Sequence, residues 1–244
     1  SCKKKMRLIA RLDIKNNYVI KGINYEGLRK IGNPNAISKQ YYDDGVDEII
    51  LIDSVASLYD RSNVFKIAKE VSKNIFIPIT IGGGLRNLKD IKKALNSGAD
   101  KVAINSSIVK RPKFLMEAVK EYGASTIISS IEVKKIKNKF LVYYNNGKEN
   151  SNIDLFHWLE LVQKYGCGEI LLSSIDSDGT EKGCNYELLK KVKKYINVPI
   201  IYSGGCKDIK DIQRFKKLHF NDALAIGSIV HYKKTNFKLI KKNI

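Results

Sequence analysis

Short apolar runs rich in β-branched residues alternate along the chain with longer stretches in which apolar residues recur every three or four positions. Unbroken apolar runs are typical of parallel strands covered on both faces, and the longer period is typical of amphipathic helices. The pattern predicts eight strands, at residues 8–12, 49–52, 77–81, 102–104, 126–131, 170–172, 199–202 and 224–226. It predicts helices between them, at residues 36–43, 63–72, 88–96, 112–122, 155–165, 186–195 and 209–218. A short, weakly patterned helix is expected after His231.

Two longer segments interrupt this alternation. Residues 15–33, "KNNYVIKGINYEGLRKIGN", follow the first predicted strand, and we expect them to form a long mobile loop. Residues 132–150, "EVKKIKNKFLVYYNNGKEN", follow the fifth predicted strand and alternate in polarity around an Asn-Gly pair. That pattern predicts an inserted β-hairpin.

The second half of the chain repeats motifs of the first half. The stretch "IGGGLRNLKDI" at residues 81–91 returns as "YSGGCKDIKDI" at 202–212, and "GVDEIILIDSVAS" at 45–57 returns as "GCGEILLSSIDSD" at 166–178. The segment "RLDIK" around Asp13 corresponds to "SIEVK" around Glu132. A repeat of about half the chain length indicates two related structural units.

Alternating strands and helices in two related halves predict an α/β fold, a single (β/α)8 TIM barrel built from two half-barrel repeats. We expect one domain over residues 1–244, with half-barrels at about 1–123 and 124–244. An open, doubly wound sheet is the alternative, but it does not predict a half-length repeat. With 43% hydrophobic residues, the chain can bury a sizeable core.

Cysteine spacing and hydropathy limit the cofactors and the location. Cys2, Cys167, Cys184 and Cys206 form no CxxC pair, so neither a zinc site nor a disulfide framework is indicated. No apolar run is long enough for a signal peptide or a membrane span. We therefore expect a cytoplasmic protein that contacts no membrane and uses no metal or other cofactor.

The net charge of +19 raises the question of a nucleic-acid partner. The lysines are spread singly over the predicted helix faces, without an RNA-binding motif or a stripe of interleaved aromatic residues. This distribution favours a solvated lysine-rich surface that attracts anionic small molecules, and no nucleic-acid partner is expected. A nucleic-acid-binding barrel remains a hypothesis that rests on charge alone.

Glycines and hydroxyl residues follow four of the predicted strands, at the carboxyl ends where barrel active sites lie. Glycines let backbone N–H groups approach an anion beside a helix N-terminus. The first half offers Gly83 and Gly84 with Asn105 and Ser106, and the second half offers Ser203, Gly204 and Gly205 with Gly227 and Ser228. These residues predict two phosphate cradles and a bisphosphorylated small-molecule substrate, although glycines also serve in plain tight turns.

The repeat places a carboxylate in each half, Asp13 after the first strand and Glu132 after the fifth. Two facing carboxylates between phosphate cradles suit general acid and base catalysis, in which one removes a proton and the other donates one. Helix caps or loop salt bridges are the alternative use of such residues. We expect the unclustered His157, His219 and His231 to be structural or surface residues.

Six motifs together carry a resemblance to a known family: "RLDIKNNYVIKG", "NYEGLRKIG", "IPITIGGGLR", "GADKVAINS", "GEILLSSIDSDGT" and "YSGGC". Over essentially its whole length, the chain resembles the cyclase subunit of imidazole glycerol phosphate synthase. The resemblance implies a barrel in a heterodimer with a glutaminase subunit, which supplies ammonia at the amino-terminal face. It implies conversion of a phosphoribulosyl-formimino aminoimidazole carboxamide ribonucleotide to imidazole glycerol phosphate and aminoimidazole carboxamide ribotide. The related ribonucleotide isomerases share the half-barrel repeat but lack the "KGINYEGLRKIG" type of loop.

The resemblance also implies roles for individual residues. Asp13 matches the catalytic aspartate of strand one, and Lys21 matches the lysine of a flexible loop that closes over substrate. Asp176, Asp178, Gly179 and Thr180 match the substrate side of the loop after strand six. A ring of four charged residues at strand starts matches the ammonia gate, namely Arg7, Glu48, Lys101 and Glu169. Plain stabilising ion pairs are the alternative for this ring.

Two positions depart from the family pattern. Glu132 stands where the cyclases have aspartate, and its extra methylene would shift the carboxyl group by roughly 1 Å. Arg11 replaces a small cysteine, and Glu132 across the barrel is a candidate partner for its guanidinium. Such a pair would keep Glu132 ionised, which predicts weak or altered cyclase activity. Both departures resemble paralogues of surface-polysaccharide pathways that relay ammonia to a sugar-modifying amidotransferase. A catalytic cyclase and an ammonia-channelling subunit thus remain open.

Overall fold

The computed structural model describes residues 5–55, 63–218 and 223–244. These ranges contain twelve strands in one sheet. In chain order they are β1 (Arg7–Lys15), β2 (Tyr18–Ile23), β3 (Glu26–Gly32), β4 (Glu48–Asp53), β5 (Ile79–Gly82), β6 (Lys101–Ile104), β7 (Ile127–Ile136), β8 (Lys139–Tyr144), β9 (Glu149–Asp154), β10 (Glu169–Ser174), β11 (Ile200–Ser203) and β12 (Ala223–Ile226). Eight of them overlap the eight runs that the sequence predicts as strands, although their ends differ by up to a few residues.

Those eight strands run parallel and form a closed barrel. Neighbours follow the order β10, β11, β12, β1, β4, β5, β6 and β7, and the pairing of β7 with β10 joins the two ends. That last pairing extends from Ile128 beside Glu169 to Val133 beside Ser174. The predicted (β/α)8 barrel is confirmed, and an open sheet is excluded because the barrel strands leave no free edge. The division into half-barrels near residue 123 stays a prediction.

Helices connect the barrel strands on the outside, and all seven predicted helices are confirmed within a few residues at their ends. In chain order the helices are α1 (Pro34–Asp43), α2 (Val64–Ser72), α3 (Leu88–Asn96), α4 (Ser106–Lys110), α5 (Lys113–Tyr122), α6 (Leu155–Lys164), α7 (Tyr186–Val192), α8 (Ile209–Lys217), α9 (Ser228–His231) and α10 (Phe237–Lys242). Helices α4 and α9 were not predicted, because one turn is too short to show a helical period. In the described ranges, no helix has both the length and the apolar character that crossing a membrane requires.

Two apolar layers follow from the alternation of side chains along each strand. Outward residues such as Leu8 and Leu12 belong to the larger core, together with helix residues such as Trp158. Inward residues form a second cluster inside the barrel, which includes Ile9, Ile50, Ile128, Leu171 and Ile201. The barrel is therefore packed at mid-height, and polar chemistry is confined to its two ends.

The segment after β1 is a β-hairpin, so the prediction of a loop was wrong. Strand β1 turns at Asn16 and Asn17 into β2, with Ile14 opposite Val19 in an antiparallel ladder, and β2 pairs with β3. Asn16 adopts a positive φ of 54°, which asparagine tolerates better than most residues. We call β2 and β3 the mouth hairpin, because they fold over the carboxyl end of the barrel.

The segment after β7 forms the expected hairpin, so both halves carry an antiparallel extension at the same place. The turn between β7 and β8 contains Lys137, which has a φ of 54°. The Asn-Gly pair lies in the next turn, between β8 and β9, where Asn146 and Gly147 have φ values of 56° and 73°. The sequence therefore predicted the hairpin, but its Asn-Gly signal belonged to the second turn.

The mouth hairpin is pinned to the loop after β10 by backbone contacts. The amide of Asn24 donates to the carbonyl oxygen of Asp178 over 2.8 Å. Gly179, at a φ of 70°, lies so close to the hairpin that an added Cβ would stand 2.0 Å from the carbonyl oxygen of Gly22. Only glycine at this position permits the observed approach of the two segments.

We predict that Gly179→Ala lifts the mouth hairpin from the barrel. A methyl group cannot share the space of the Gly22 carbonyl oxygen, so we expect amide exchange in β2 to become at least about tenfold faster. The matched control is Gly123→Ala. Gly123 also has a positive φ, of 85°, but nothing lies within 4 Å of a Cβ added to it. Hydrogen exchange read by mass spectrometry makes the comparison, and equal exchange in both variants would contradict the pinning role of Gly179.

Candidate active site

Asp13 and Glu132 lie on two strands of the barrel and point inward at its carboxyl end. Each stands four residues after an apolar residue of the interior cluster, Ile9 on β1 and Ile128 on β7, and therefore faces the same way. Glu132 is buried, with 7% of its surface exposed, and Asp13 is half-buried. The structure thus brings together the two carboxylates that the repeat predicts, within reach of one barrel mouth.

Arg11 is the buried cation between these carboxylates. Its Nε donates to Oδ1 of Asp13 over 3.1 Å, and its Nη1 donates to the hydroxyls of Ser173 (2.7 Å) and Ser203 (3.2 Å). Among the ion pairs of the described ranges, Arg11 is joined to Asp13 and not to Glu132. The expected pairing with Glu132 was wrong, because a residue two positions along the same strand lies closer than one across the barrel.

The two carboxyl groups have opposite pKa shifts. Burial alone would raise the pKa of Asp13, but the charges of Arg11 and Lys21 outweigh it and lower that pKa below the usual range. Burial raises the pKa of Glu132 to about 7, against the charge of Arg11 and a hydrogen bond from the amide of Gly147. That amide donates to Oε2 of Glu132 over 2.6 Å. Near neutral pH, Asp13 is therefore ionised and a large share of Glu132 is protonated.

This difference changes the expectation for catalysis. A pair of titratable groups whose surroundings push their pKa values apart is suited to act as base and acid. Glu132 was expected to be ionised by a neighbouring guanidinium, but Arg11 is occupied by Asp13, and burial is the largest influence on Glu132. The reason for expecting weak cyclase activity, an ionised Glu132, therefore no longer holds.

The first cradle, formed by Gly83, Gly84, Asn105 and Ser106, opens into a cavity of about 540 Å³ that also reaches Glu132. All four residues line the cavity, as the sequence predicts. Three cations line it as well and were missed, because they are scattered over two loops and a helix: Arg86, Lys110 and Arg111. Together with glycine amides, they make this side of the mouth suited to an anionic group.

Gly83 shows why the first cradle needs glycine. It has a φ of 86°, and an added Cβ would stand 2.2 Å from the backbone oxygen of Asp53 at the end of β4. Beside it, the hydroxyl of Ser106 accepts a hydrogen bond from the amide of Asn145 over 3.0 Å. This bond ties the turn between β8 and β9 to the start of α4.

The second cradle is nearly filled in this structure. Its cavity measures about 20 Å³, which is room for about one water molecule. All five predicted residues of this cradle line the cavity: Ser203, Gly204, Gly205, Gly227 and Ser228. Lys21, Asp178 and Gly179 line it as well. The two cradles are related by the repeat but differ in how far they are open.

Lys21 accounts for this difference. It lies on β2, and its ammonium donates to both carboxylate oxygens of Asp178 over 2.7 and 2.9 Å. Both side chains are buried, with about 6–7% of each exposed. The mouth hairpin thus closes the second cradle through a buried ion pair.

The other predicted residues of the loop after β10 point elsewhere. Asp176 is exposed, and its Oδ2 accepts the backbone amide of Lys135 over 2.7 Å. Thr180 donates its hydroxyl to the carbonyl oxygen of Ser177 over 2.8 Å and faces an outer groove beside the hairpin. Of the two aspartates in "SIDSDGT", the structure places Asp178 in the mouth and Asp176 outside it.

Two of the three histidines can be placed. His157 is exposed on α6. His231 is buried, its Nδ1 lies 2.6 Å from the hydroxyl of Tyr41, and its Nε2 lies 3.0 Å from the carbonyl oxygen of Arg11. It supports the backbone of β1 next to the site, while His219 lies outside the described residues.

The four charged residues of the predicted gate form a closed ring at the opposite end of the barrel. We call them the gate ring, and each is the first residue of its strand: Arg7, Glu48, Lys101 and Glu169. Arg7 is paired with Glu48 over 2.8 Å and with Glu169, and Lys101 is paired with Glu169 over 3.2 Å and with Glu48 over 3.9 Å. The signs alternate, and the ring surrounds the barrel axis at the amino-terminal face.

Known proteins share both the fold and the motifs of this chain. The sequence profile described as histidine biosynthesis protein matches residues 7–236. The imidazole glycerol phosphate synthase subunit HisF of Legionella pneumophila is 45% identical over 207 residues, covering 84% of this chain and 98% of that protein. The HisF subunits of Helicobacter hepaticus and Clostridium botulinum are 40% and 41% identical, covering 96% and 97% of this chain and 93% and 94% of theirs.

The chain belongs to the histidine biosynthesis protein family. The similarity extends over nearly the full length of several HisF subunits, which confirms the resemblance to the cyclase subunit of imidazole glycerol phosphate synthase. This cyclase subunit is a lyase-type enzyme of histidine biosynthesis.

We predict that Glu132 makes the stability of this cyclase subunit depend on pH. Its pKa of about 7 lies above the ordinary 4.5, so its stabilising contribution is complete below about 4.5 and is lost as pH rises through 7. The full change is about 3 kcal/mol. Glu132→Gln removes it, so the free energy of unfolding of the variant relative to the natural chain should rise between pH 5 and pH 8.

Urea denaturation at a series of pH values measures this difference. The comparison between two chains cancels every other titrating group that the substitution leaves unchanged. A difference in free energy that stays constant across the series would mean that Glu132 has no raised pKa.

Proposed function

We propose that Asp13 and Glu132 are the base and the acid of this cyclase subunit. In the proposed reaction, ammonia converts a phosphoribulosyl-formimino aminoimidazole carboxamide ribonucleotide to imidazole glycerol phosphate and aminoimidazole carboxamide ribotide. The observation that carries the proposal is the opposite pKa shift of two carboxyl groups at one barrel mouth. A single site that holds one ionised and one largely protonated carboxyl group can remove one proton and deliver another.

The proposed chemistry needs both steps. When neutral ammonia adds to a carbonyl carbon, the new nitrogen carries a positive charge and must lose a proton, and the former carbonyl oxygen takes up protons and leaves as water. When the ribotide nitrogen departs, it must gain one. Asp13, kept ionised by Arg11 at 3.1 Å, is suited to accept the first proton, and Glu132 is suited to supply the second.

The two cradles support a substrate with a phosphate at each end. The first cradle is open, and the cations Arg86, Lys110 and Arg111 surround it, so it can receive one phosphate without rearrangement. The second cradle holds about 20 Å³ and must widen before it receives the other phosphate. We propose that the mouth hairpin lifts, that Lys21 leaves Asp178, and that its ammonium then binds substrate.

We propose that a glutaminase subunit docks at the amino-terminal face and delivers ammonia through the gate ring. The side chains of Arg7 and Lys101 are 23% exposed, so they can be reached from that face, whereas those of Glu48 and Glu169 are only 8% exposed. An alternating ring with two accessible cations can open when a partner draws one cation outward. Plain stabilisation of the barrel bottom is the alternative role.

Arg11 favours a second candidate function. Its guanidinium lies at the mouth, where Arg11 lines the cavities of both cradles, and it donates to Asp13, Ser173 and Ser203 at once. A carboxylate in a buried ion pair is a weaker base than a free one, because accepting a proton would leave the guanidinium unpaired. This observation supports a subunit that passes ammonia to a sugar-modifying amidotransferase and has altered chemistry of its own.

Turnover of the ribulosyl ribonucleotide with ammonium salt, without a partner, tests the proposed function. We predict that Asp13→Asn and Glu132→Gln each lower the rate at least about 10²-fold, which is the usual contribution of a general acid or base. Glu160→Gln is the matched control, because Glu160 is exposed on the outer helix α6, and the same acid-to-amide change should leave the rate unaltered.

The same assay separates the two candidate functions. Unchanged rates in both site variants would contradict the assignment of base and acid. If the unmodified chain turns over the ribonucleotide only slowly and Arg11→Cys raises the rate, the second candidate is favoured. If Arg11→Cys leaves a fast rate unchanged or lowers it, the ordinary cyclase is favoured.

The gate ring yields a separate prediction. Glu169→Ala removes one of the two carboxylates that join Arg7 to Lys101 and so opens the ring. We therefore expect glutamine-dependent turnover with the partner to fall at least about tenfold relative to ammonium-dependent turnover. Loss of a buried ion-pair member also destabilises the barrel by about 3–5 kcal/mol, so ammonium-dependent turnover serves as the internal control for folding. Glu187→Ala, which removes exposed ion pairs with Lys135 and Lys191, is the matched surface control. Equal loss of both activities would indicate misfolding instead of a gate.

Two further expectations stay predictions. A cytoplasmic location agrees with the free thiols of the described cysteines, which are Cys167, Cys184 and Cys206, since reducing compartments keep thiols in this state. The lack of a nucleic-acid partner rests on the scattered lysines of the sequence.

A further inference from the structure

Two cysteines and an aspartate meet behind the second cradle. Cys184 lies in the loop between β10 and α7, Cys206 lies in the loop between β11 and α8, and Asp211 lies in the first turn of α8. Their sulfur and carboxylate oxygen atoms all lie within 4.8 Å of one another. Both cysteines are buried free thiols, 6% and 7% exposed. The proposed reaction uses none of these three residues.

The carboxylate of this cluster is held in a fixed orientation. Its Oδ2 accepts the backbone amides of Cys184 and Lys207, both over 3.1 Å. Its Oδ1 accepts the hydroxyl of Tyr186 over 2.6 Å, which leaves a lone pair on that oxygen for another bond. Hydrogen bonds of this kind orient the ligands of metal ions in proteins and raise their affinity.

The backbone also fixes the distance between the two thiols. The amide of Gly183 donates to the carbonyl oxygen of Gly205 over 2.7 Å, so the residues that precede Cys184 and Cys206 are joined directly. An added Cβ on Gly205 would stand 2.4 Å from the carbonyl oxygen of Gly183, so the two loops could not approach this closely with a larger residue. Backbone contacts therefore hold the two cysteine-bearing loops close together.

We propose that Cys184, Cys206 and Asp211 form a binding site for zinc or another thiophilic divalent cation. Two sulfur ligands and one carboxylate oxygen match the ligand types that zinc prefers, and the fourth tetrahedral position is left to solvent. Binding of a divalent ion would release the two thiol protons, and the charge of the ion would compensate the resulting thiolates and the carboxylate in this buried space.

Such an ion would join the two loops that build the second cradle. Cys206 follows Gly204 and Gly205 directly and lines the same cavity, and the loop that carries Cys184 also carries Asp178 and Gly179. Binding would therefore restrain the glycine amides of the cradle. The site itself does not depend on the proposed reaction, because all of its ligands belong to the chain.

The test is metal uptake by the purified, reduced and chelator-treated chain. We expect one zinc ion to be retained per chain after gel filtration, measured by mass spectrometry of the metal. Cobalt should give the thiolate charge-transfer and visible bands of a tetrahedral sulfur-containing site. Cys184→Ser and Cys206→Ser should each weaken zinc binding by more than the 10- to 100-fold that loss of a mere supporting residue costs.

The matched control is the double variant Cys2→Ser, Cys167→Ser. Cys2 lies outside the described residues, and Cys167 is a buried free thiol that does not belong to the cluster. This control should bind zinc as the natural chain does, and circular dichroism should show that all variants are folded. Failure of the natural chain to retain zinc, or equal binding by Cys184→Ser, would overturn the proposal. The proposal would also be overturned if the isolated chain has a mass two hydrogens too low, which indicates a disulfide, and still takes up no cation after reduction.

Discussion

The parallel pairing of β7 with β10 is the constraint on which the other features depend. It closes eight strands into one barrel, so that all strand starts lie at one end and all strand ends at the other. The ring of Arg7, Glu48, Lys101 and Glu169 can form only because four first residues are brought around one axis. The same closure brings Asp13 and Glu132, which are far apart in the chain, to one mouth. Between the two ends, the interior cluster around Ile50 and Leu171 fills the barrel and separates the two sets of charges.

Burial of charge determines what the mouth can do. Arg11 has little access to water, and its hydrogen bonds to Asp13, Ser173 and Ser203 replace those that water would supply. Its charge holds Asp13 ionised, while Glu132, buried without an ion-pair partner among the described residues, retains its proton to about pH 7. Two similar carboxyl groups therefore differ, because Arg11 and Lys21 outweigh burial at Asp13, whereas burial outweighs Arg11 at Glu132. Arg11 also lines the cavities of both cradles, so it bears directly on the choice between the two candidate functions.

The half-length repeat produces two cradles, but the halves use their hairpins differently. In the second half, the turn after β8 contributes the amide of Gly147 to Glu132 and leaves the first cradle open. In the first half, the mouth hairpin lowers Lys21 onto Asp178 and fills the second cradle. Two cradles built from corresponding sequence motifs thus differ in how far they are open. A substrate that needs both cradles has to break the buried pair of Lys21 and Asp178.

The sequence by itself determined the elements, the barrel and the residues at its two ends. The hydrophobic period identifies each strand and helix, and the order of strands along the chain decides which residues stand at strand starts and strand ends. It also predicted both glycine cradles, since Gly83 and Gly204 stand directly after apolar runs. It did not reveal the mouth hairpin, because the polar residues of β3 hide its alternation. The partner of Arg11, the division of Asp176 from Asp178, the cations around the first cradle and the meeting of Cys184 with Cys206 were decided only by tertiary structure. Each of these depends on distances between segments that are remote in sequence or on the direction of a side chain, and neither is encoded in the spacing of residues along the chain.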